Sequence, residues 1–429
     1  MRTTIFPFTL ILWVVNLCEC SALSSQTSFA VERSSVNAHS YVFMESIPGL
    51  RKRDDLKKLR RVATDHVHEV IFVIQQRNIP ELTRSLNDLS NPASKNYGHY
   101  LTRDDVIEIT SNPKSRDVVA EFLRLNGAST VSETIGHEYL TATAPIAVWE
   151  TLFNAEFSTY YLTEQDGHSR ELIRTDSYWI PKQLISHVAA VLNVVDIQCE
   201  AHSASELYQP TPNVVETPSS PSDGIAFPGT LRRIHNMDST STGSQLSTQA
   251  SFHSYGAYCS QADLSKFQDM NSLTSKTSVT FSTNALHHDH ELSATDSDSG
   301  DCSLNLQYMT ATSPDSPTTI TGLKSFWRDW LLTIANTVDL PLVIHINSGS
   351  AEWAITRGVH DAFTVQAIKL GVMGITLVGP SGDNGVPSKV SKRSGIPSHD
   401  YEPYFPSSNP YVTSVGATMV ILYNYNVDV

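Results

Sequence analysis

Two apolar runs separated by an amphipathic helical pattern constrain the fold of this chain more than any other feature. The run Pro341–Ile346 (PLVIHI) is followed by the helical spacing of Val359–Leu370, and then by the apolar run Gly374–Val378 (GITLV). Gly371 is predicted to end the helix. Continuously apolar strands are typical of parallel sheets that are buried on both faces. The pattern therefore predicts a βαβ unit with a right-handed crossover.

Two further segments extend this unit. Ser325–Ala335 has the spacing of an amphipathic helix, and Tyr411–Val415 predicts a third strand. In such sheets the functional residues lie in loops that follow the carboxyl ends of the strands. The loop Gly379–Gly385 is glycine-rich, directly follows a predicted strand and presents Asp383. A mere tight turn and a functional loop both fit this pattern.

Residues 66–197 have the pattern of a separate α/β unit. The β-branched segment Val67–Ile74 predicts a strand, and the apolar spacing of Ile79–Leu89 and of Arg116–Leu125 predicts two helices. Tyr139–Ala144 predicts another strand, and a short helix is expected after Pro145.

The composition changes between these two regions. Residues 201–229 are rich in proline, serine and threonine, which predicts an extended linker that is open to proteolysis. We therefore divide the chain into an N-terminal domain at 40–200 and a C-terminal domain at 230–429.

The charge balance excludes one large class of partners. The 429 residues include 30 basic and 44 acidic side chains, a formal net charge of -14, so nucleic acid is not expected as the main partner. A hydrophobic content of 40% is sufficient for two real cores. The exception in charge is Arg51–Arg61 (RKRDDLKKLRR), which predicts a solvated helix face or loop, with a binding or processing site as the alternative.

The N-terminus predicts the compartment. Arg2 precedes the apolar run Ile5–Leu17, which is too short to span a bilayer, and small residues follow at Ser21 and Ala22. These features predict a secretory signal peptide at 1–22. No later segment is apolar for long enough to span a membrane, so we expect an extracellular or lysosomal/vacuolar protein without a membrane partner.

The cysteines do not form a disulfide scaffold. Cys18 and Cys20 leave with the predicted signal peptide, and Cys199, Cys259 and Cys302 remain. An odd number allows at most one disulfide and one free thiol, and the sequence leaves the pairing open.

Two polar segments resemble metal sites, and neither predicts one. His287–Glu291 (HHDHE) is flanked by Ser and Thr, and consecutive side chains diverge, which favours a solvated loop over a metal cluster. Asp296–Asp301 resembles the start of a calcium loop, but glycine stands at its fifth position and Gln307 at its twelfth. No metal is therefore predicted.

Several motifs occur in a fixed order along the chain, namely Asn91–Thr102 (NPASKNYGHYLT), Phe227–Asn236 (FPGTLRRIHN), Asp301–Tyr308 (DCSLNLQY), Pro341–Glu352, Ser381–Asp383 and Phe405–Gly416 (FPSSNPYVTSVG). Together they resemble the sedolisin (serine-carboxyl peptidase) family, and within it the tripeptidyl-peptidase branch. The first resembles the activation prodomain of the family and the second resembles the start of its mature enzyme.

The resemblance implies a fold and an activity. The fold is an α/β activation prodomain with an antiparallel sheet, followed by a subtilisin-like α/β domain with a parallel sheet. The implied activity is hydrolysis of peptide or protein substrates at acidic pH by a Ser-Glu-Asp triad, in an enzyme made as a zymogen. A further aspartate lines the oxyanion hole and donates a hydrogen bond there only when it is protonated.

The sequence departs from the family at the two triad acids. These acids lie four residues apart on a helix, so that both carboxyls share one face. Asp301 stands at the position of the general-base glutamate, and its carboxylate is one methylene too short. Asn305 stands at the position of the orienting aspartate and carries no titratable proton, so the coupled pair of acids is lost. Asp383 matches the oxyanion aspartate.

Other parts of the family site are expected outside this sequence. The nucleophilic serine and the calcium site of the family both lie beyond Val429, so neither a nucleophile nor a cofactor is predicted here. The segment around Asp301 also fits a plain packed helix, because Cys302, Leu306 and Met309 form an apolar stripe.

We expect from these departures that the chain has no peptidase activity. A peptidase that uses Asp301 as a short base is the first alternative. A non-catalytic binding protein, an inhibitor or decoy of an active paralogue, is the second. A third is a fragment of an incomplete gene model that ends at Val429.

Overall fold

A computed structural model describes most of the chain. The described residues are 40–50, 53, 55–163, 169–197, 227–238, 243–254, 258–273, 279–282, 286–288, 300–382 and 403–416. The predicted signal peptide, most of the predicted linker and Asp383 lie outside these ranges. Across the described ranges, no helix combines the length and the apolar composition needed to cross a membrane.

In the N-terminal region, the described residues form nine strands and four helices. The strands are β1 (Tyr41–Ser46), β2 (Leu56–Arg61), β3 (Val67–Ile74), β4 (Ser129–Glu133), β5 (Tyr139–Pro145), β6 (Ser158–Thr163), β7 (Ser169–Arg174), β8 (Ser177–Pro181) and β9 (Val188–Leu192). The helices are α1 (Ile79–Leu89), α2 (Arg103–Thr110), α3 (Pro113–Leu125) and α4 (Ile146–Phe153).

These strands pair in antiparallel sheets. The largest sheet has the order β4-β5-β3-β9, and smaller sheets have the orders β2-β6-β7 and β1-β8. The strand β3 lies in the centre of its sheet, and from Val70 to Ile74 its side chains are buried on both faces. This explains its uninterrupted β-branched sequence.

The part of the C-terminal region that the structure describes forms ten strands and five helices. The strands are β10 (Gln249–Ser254), β11 (Tyr258–Ser260), β12 (Val279–Phe281), β13 (Leu286–His288), β14 (Thr318–Leu323), β15 (Val343–Asn347), β16 (Ser350–Ala351), β17 (Thr376–Pro380), β18 (Tyr404–Phe405) and β19 (Thr413–Val415). The helices are α5 (Pro228–Ile234), α6 (Gln261–Met270), α7 (Gly300–Thr312), α8 (Phe326–Asn336) and α9 (Arg357–Val372).

Six of these strands form one parallel sheet with the order β12-β14-β10-β15-β17-β19. The predicted βαβ unit is confirmed, since β15, α9 and β17 follow one another and the two strands are neighbours. The predicted fold class, antiparallel sheets followed by a parallel α/β domain, is also confirmed.

The antiparallel region packs against helices α8 and α9. One apolar core includes Ile71 and Leu192 of the N-terminal sheet together with Trp330 and Phe363 of the helices. A second core joins α1 and α2 to the C-terminal half of α9. We call this side of the parallel sheet, with Ala250, Phe252, Ile344 and Ile346 pointing into it, the docking face.

Three local predictions from the sequence are wrong. The second half of the basic run is neither a helix face nor a loop, because Leu56–Arg61 pairs with β6 as an edge strand. Leu56 points inward beside Leu162, and Lys58, Arg60 and Arg61 form ion pairs at the surface.

Gly371 does not end α9. The helix continues to Val372 and ends before Gly374, whose φ of 81° suits a residue without Cβ. His287 and His288, expected in a loop, lie in β13.

Candidate active site

Helix α7 carries two of the three predicted site residues. A disulfide joins Cys302 in its first turn to Cys259 in β11, with the two Cα atoms 5.1 Å apart. Both cysteines are buried in a small core with Leu264, Leu306 and Ile320. The disulfide therefore holds the start of α7 beside α6 and the parallel sheet. It also gives the pairing that the sequence left open for Cys259 and Cys302, whereas Cys199 lies outside the described residues.

The helical spacing that the triad positions require is present. Asp301 and Asn305 lie one helical turn apart on α7, so position 305 falls on the same face as position 301. Asn305 is half-buried, and Cys302 and Leu306 of the adjacent stripe are buried. The helix is therefore packed through that stripe, and the two predicted positions lie beside it.

The glycine-rich segment leaves the sheet two residues later than the sequence predicts, because β17 continues through Gly379 and Pro380. The strand β17 ends at Pro380, whose carbonyl accepts a hydrogen bond from Ser407 Oγ at 2.6 Å, and the Ser381 amide donates to the carbonyl of Val415 at 3.0 Å. Gly382 has a φ of 89°. Asp383 itself and the Asp301 side chain are not among the described groups. The structure thus places the start of the loop and the helix, and the mutual geometry of the three predicted side chains lies outside the described residues.

The opposite side of the sheet from the docking face, which we call the site face, carries a polar cluster that the sequence analysis missed. Ser251 Oγ lies 2.8 Å from His253 Nε2 and 2.8 Å from His345 Nδ1, and Asn347 Nδ2 lies 3.0 Å from His253 Nδ1. The parallel register puts Ser251 opposite His345 and His253 opposite Asn347. The four side chains therefore form one hydrogen-bonded chain across β10 and β15.

This cluster fixes the tautomer of the neutral His253. The Asn347 amide donates to His253 Nδ1, so His253 carries its proton on Nε2 and donates to Ser251, whose hydroxyl also shares a hydrogen bond with His345 Nδ1. Burial, together with the neighbouring His345, lowers the pKa of His253 to about 3. Burial lowers the pKa of His345 to about 4. Both rings are neutral in mild acid, and Ser251 is fully buried, so the cluster is built for structure and not for attack on a peptide.

The sequence contained a weak signal for this cluster. His345 interrupts the apolar run PLVIHI, and β10 (QASFHS) alternates apolar and polar residues. A histidine inside a parallel strand needs a buried hydrogen-bond partner. No group of three or more His, Cys, Asp or Glu side chains suited to a metal ion occurs within the described part of the chain.

A second polar contact was also missed, at the start of α9. The Gly358 amide donates to Glu45 Oε2 at 3.0 Å, and the Tyr178 hydroxyl donates to Glu45 Oε1 at 3.3 Å. Burial raises the pKa of Glu45, although the Gly358 hydrogen bond opposes this. A Cβ on residue 358 would lie 2.4 Å from Glu45 Oε1, so only glycine allows the carboxylate to approach so closely.

Comparison with known proteins accounts for this arrangement. The family model of the pro-kumamolisin activation domain matches residues 54–197. Tripeptidyl-peptidase 1 of Canis lupus familiaris is 25% identical over 382 residues, which cover 84% of this chain and 63% of that protein. Physarolisin of Physarum polycephalum is 25% identical over 365 residues, which cover 81% of this chain and 59% of that protein. The chain is therefore similar to sedolisin-type peptidases over most of its length.

Residues 54–197 match the activation prodomain, and the antiparallel strands β2 to β9 lie within them, whereas β1 precedes them. The chain spans less than two thirds of the length of the relatives that it matches. A solved structure of Pseudomonas sedolisin, a serine-carboxyl proteinase complexed with pseudo-iodotyrostatin, matches 46% of this chain and 55% of its own chain, with a TM-score of 0.35 and 18% identity.

Proposed function

We propose that this chain is a sedolisin-type peptidase homologue that does not cleave peptides. The observation that carries the proposal is Asn305 on α7, one helical turn from Asp301. In the family mechanism a glutamate removes the proton of the nucleophile while an aspartate orients the glutamate. The amide of Asn305 neither shares nor holds a proton. The carboxylate of Asp301 is shorter than that of glutamate and lies roughly 1.5 Å from where the base is needed. A displacement of about 1 Å already lowers the rate about a hundredfold.

We also propose that the protein enters the secretory pathway and belongs to an acid-acting type. The apolar N-terminal run supports export as an extracellular or lysosomal protein, and the relatives are named as peptidases, which supports peptide or protein ligands. Asp383 is proposed as the oxyanion acid, and no cofactor is proposed for the residues present here.

The test of this proposal is a peptidase assay on the purified full chain under acidic conditions. Release of an N-terminal tripeptide from a reporter peptide is followed by mass spectrometry, with canine tripeptidyl-peptidase 1 as the positive control. We expect no release above buffer. Release that disappears in the Asp301→Ala variant would contradict the proposal, because it would show that Asp301 acts as a base.

A second candidate function is non-catalytic binding, as an inhibitor or decoy of an active relative. The observation that favours it is the complete packing of the prodomain sheet on α8 and α9 in a chain whose triad acids are altered. Addition of the full chain to an active tripeptidyl-peptidase 1 should then slow tripeptide release in proportion to its concentration. Unchanged rates at saturating chain would exclude this candidate.

A further inference from the structure

The contact between the prodomain and α9 includes a buried ion pair. Lys369 Nζ of α9 donates to Glu138 Oε1 at 3.3 Å, and the two side chains are only 6% and 4% exposed. Glu138 precedes β5 in the prodomain and lies 231 residues from Lys369 in sequence. The pair therefore joins two parts of the chain that meet only when the prodomain is docked.

The remaining hydrogen-bonding groups of Glu138 are also satisfied. Gln366 Nε2, one turn before Lys369 on α9, donates to Glu138 Oε1 at 3.3 Å and to the hydroxyl of Tyr139 at 3.2 Å. The Thr134 hydroxyl donates to Glu138 Oε2 at 3.2 Å. The carboxylate thus receives donors from its own domain and from α9, and the α9 donors leave with the helix.

The nearby Arg103 does not compete for Glu138. Its guanidinium donates to the carbonyls of Ile334, Ala335 and Thr337 at the C-terminal end of α8. That end of a helix presents unpaired carbonyl groups and a partial negative charge, so it suits a cation. Lys369 is therefore the cation that neutralises Glu138.

A buried ion pair contributes little net stability, yet loss of one partner leaves an uncompensated buried charge. Burial alone raises the pKa of Glu138, but Lys369 and Gln366 outweigh it, so the pKa lies below its ordinary value. Burial lowers the pKa of Lys369 against the attraction of Glu138. Such a pair contributes more to the choice of catalytic domain than to the strength of the contact. An α9 surface without a cation would leave the Glu138 carboxylate buried and unpaired, so the prodomain would bind it poorly.

We propose that Glu138 and Lys369 are the specificity-determining pair of prodomain docking. The prodomain accepts a sedolisin-type catalytic domain only when α9 presents a cation at the position of Lys369, first of all the catalytic domain of its own chain. This inference rests on the prodomain assignment within the proposed function and does not depend on the absence of peptidase activity.

The test uses the full chain with a specific protease site inserted in residues 201–226. After cleavage, the reassociation constant of the two pieces is measured by surface-based binding or calorimetry, and co-elution is followed by size exclusion. The wild-type pieces should remain together. Glu138→Gln alone or Lys369→Met alone should weaken association about a hundredfold or more, because each leaves a buried charge unpaired.

The double variant Glu138→Gln with Lys369→Met decides the question. Since neither charge is then present, association should return to within about tenfold of wild type. Arg357→Met is the matched control on the same helix, because it removes an ion pair with Asp361 whose side chains are 87% and 58% exposed, and it should change nothing.

Three results would overturn the proposal: wild-type pieces that separate, single variants that bind within threefold of wild type, or a double variant no better than the single ones. If a single variant does not fold, the same comparison is made on the uncleaved chains by urea midpoint, where the double variant should regain most of the loss. The readout is association alone. Detection of peptidase activity would therefore contradict the proposed function and would not contradict this inference.

Discussion

The two faces of the parallel sheet are built from the same strands but from different chemistry. On the docking face, β10 and β15 contribute Ala250, Phe252, Ile344 and Ile346, which join the aromatic side chains of α8 and α9. On the site face the alternate residues of the same strands form the hydrogen-bonded Ser251 cluster. A disulfide and a small core complete that face.

The two faces of the sheet are therefore stabilised by different interactions. The docking face relies on burial of large apolar side chains that continue into the prodomain, so that the two domains share one core. The site face relies on specific hydrogen bonds and one covalent bond, which place α7 without a large apolar area. Changes to the docking face should therefore affect both domains, and changes to the site face should affect the C-terminal domain.

The largest effect is expected from Phe363→Ala on the docking face. Phe363 is fully buried and its ring contacts Trp327, Trp330 and Phe405. We expect a loss of about 3–5 kcal/mol in the free energy of unfolding, because the large cavity closes only in part. Urea unfolding checks the value, and hydrogen exchange should show lower protection in β3 as well as in α9. Loss of protection confined to α9 would contradict a shared core.

The next effect is expected from removal of the disulfide by Cys259→Ser with Cys302→Ser. The bond closes a loop with a sequence separation of 43. The chain-entropy relation gives about 4 kcal/mol for a loop of this length, with about 2–4 kcal/mol typical of such bonds. Thermal unfolding of the variant should show the loss, with prodomain protection against hydrogen exchange unchanged. An equal loss of protection in β3 would remove the distinction between the two faces.

A smaller loss is expected from Ser251→Ala, which breaks the hydrogen-bonded chain in its middle. The variant leaves His253 Nε2 and His345 Nδ1 without their shared partner in a buried place. An unsatisfied buried polar group costs about 1–3 kcal/mol. Thr321→Ala, on the neighbouring strand β14, serves as a control in the same urea titration. A change below about 0.5 kcal/mol for Ser251→Ala would show that the cluster is not structural.

The smallest effect, when it is taken per pH unit, is a pH dependence of the site face. His345 has a pKa of about 4 in the folded chain, below that of an exposed histidine, so the unfolded chain binds a proton that the folded chain does not. Stability should therefore fall as pH decreases from about 6.5 toward 4, by at most about 1.4 kcal/mol per pH unit for this one group. His345→Gln should flatten the slope of the urea midpoint over this window. An unchanged slope would show that His345 does not titrate in this way.

The sequence predicted the elements better than the contacts between them. Val67–Ile74 and Ile79–Leu89 agree with β3 and α1 to the residue, because period and length specify them locally. The strand Leu56–Arg61 was missed, since its exposed basic residues hide the single inward leucine and its pairing with β6 is not local. The order of the strands in the parallel sheet was not predicted for the same reason.

The candidate site shows the same limit. The motif spacing predicted α7 and the loop after β17, because both depend on neighbours in sequence. The Ser251 cluster and the Glu138–Lys369 pair join residues 94 and 231 positions apart, and nothing local marks them as partners. Lys369 could be recognised only as a charge in a mostly apolar helix. The roles of Asp301, Asn305 and Asp383 stay predictions.

The most direct test of the central claim transfers the two departures into an active relative. In an active tripeptidyl-peptidase that has the family's pair of triad acids, the general-base glutamate is changed to aspartate and the orienting aspartate to asparagine, singly and together, and kcat/KM for tripeptide release is measured. We predict a fall of at least about a hundredfold for each single change and no detectable release for the double variant. A double variant that keeps more than about a tenth of wild-type kcat/KM would contradict the claim that these residues silence the site.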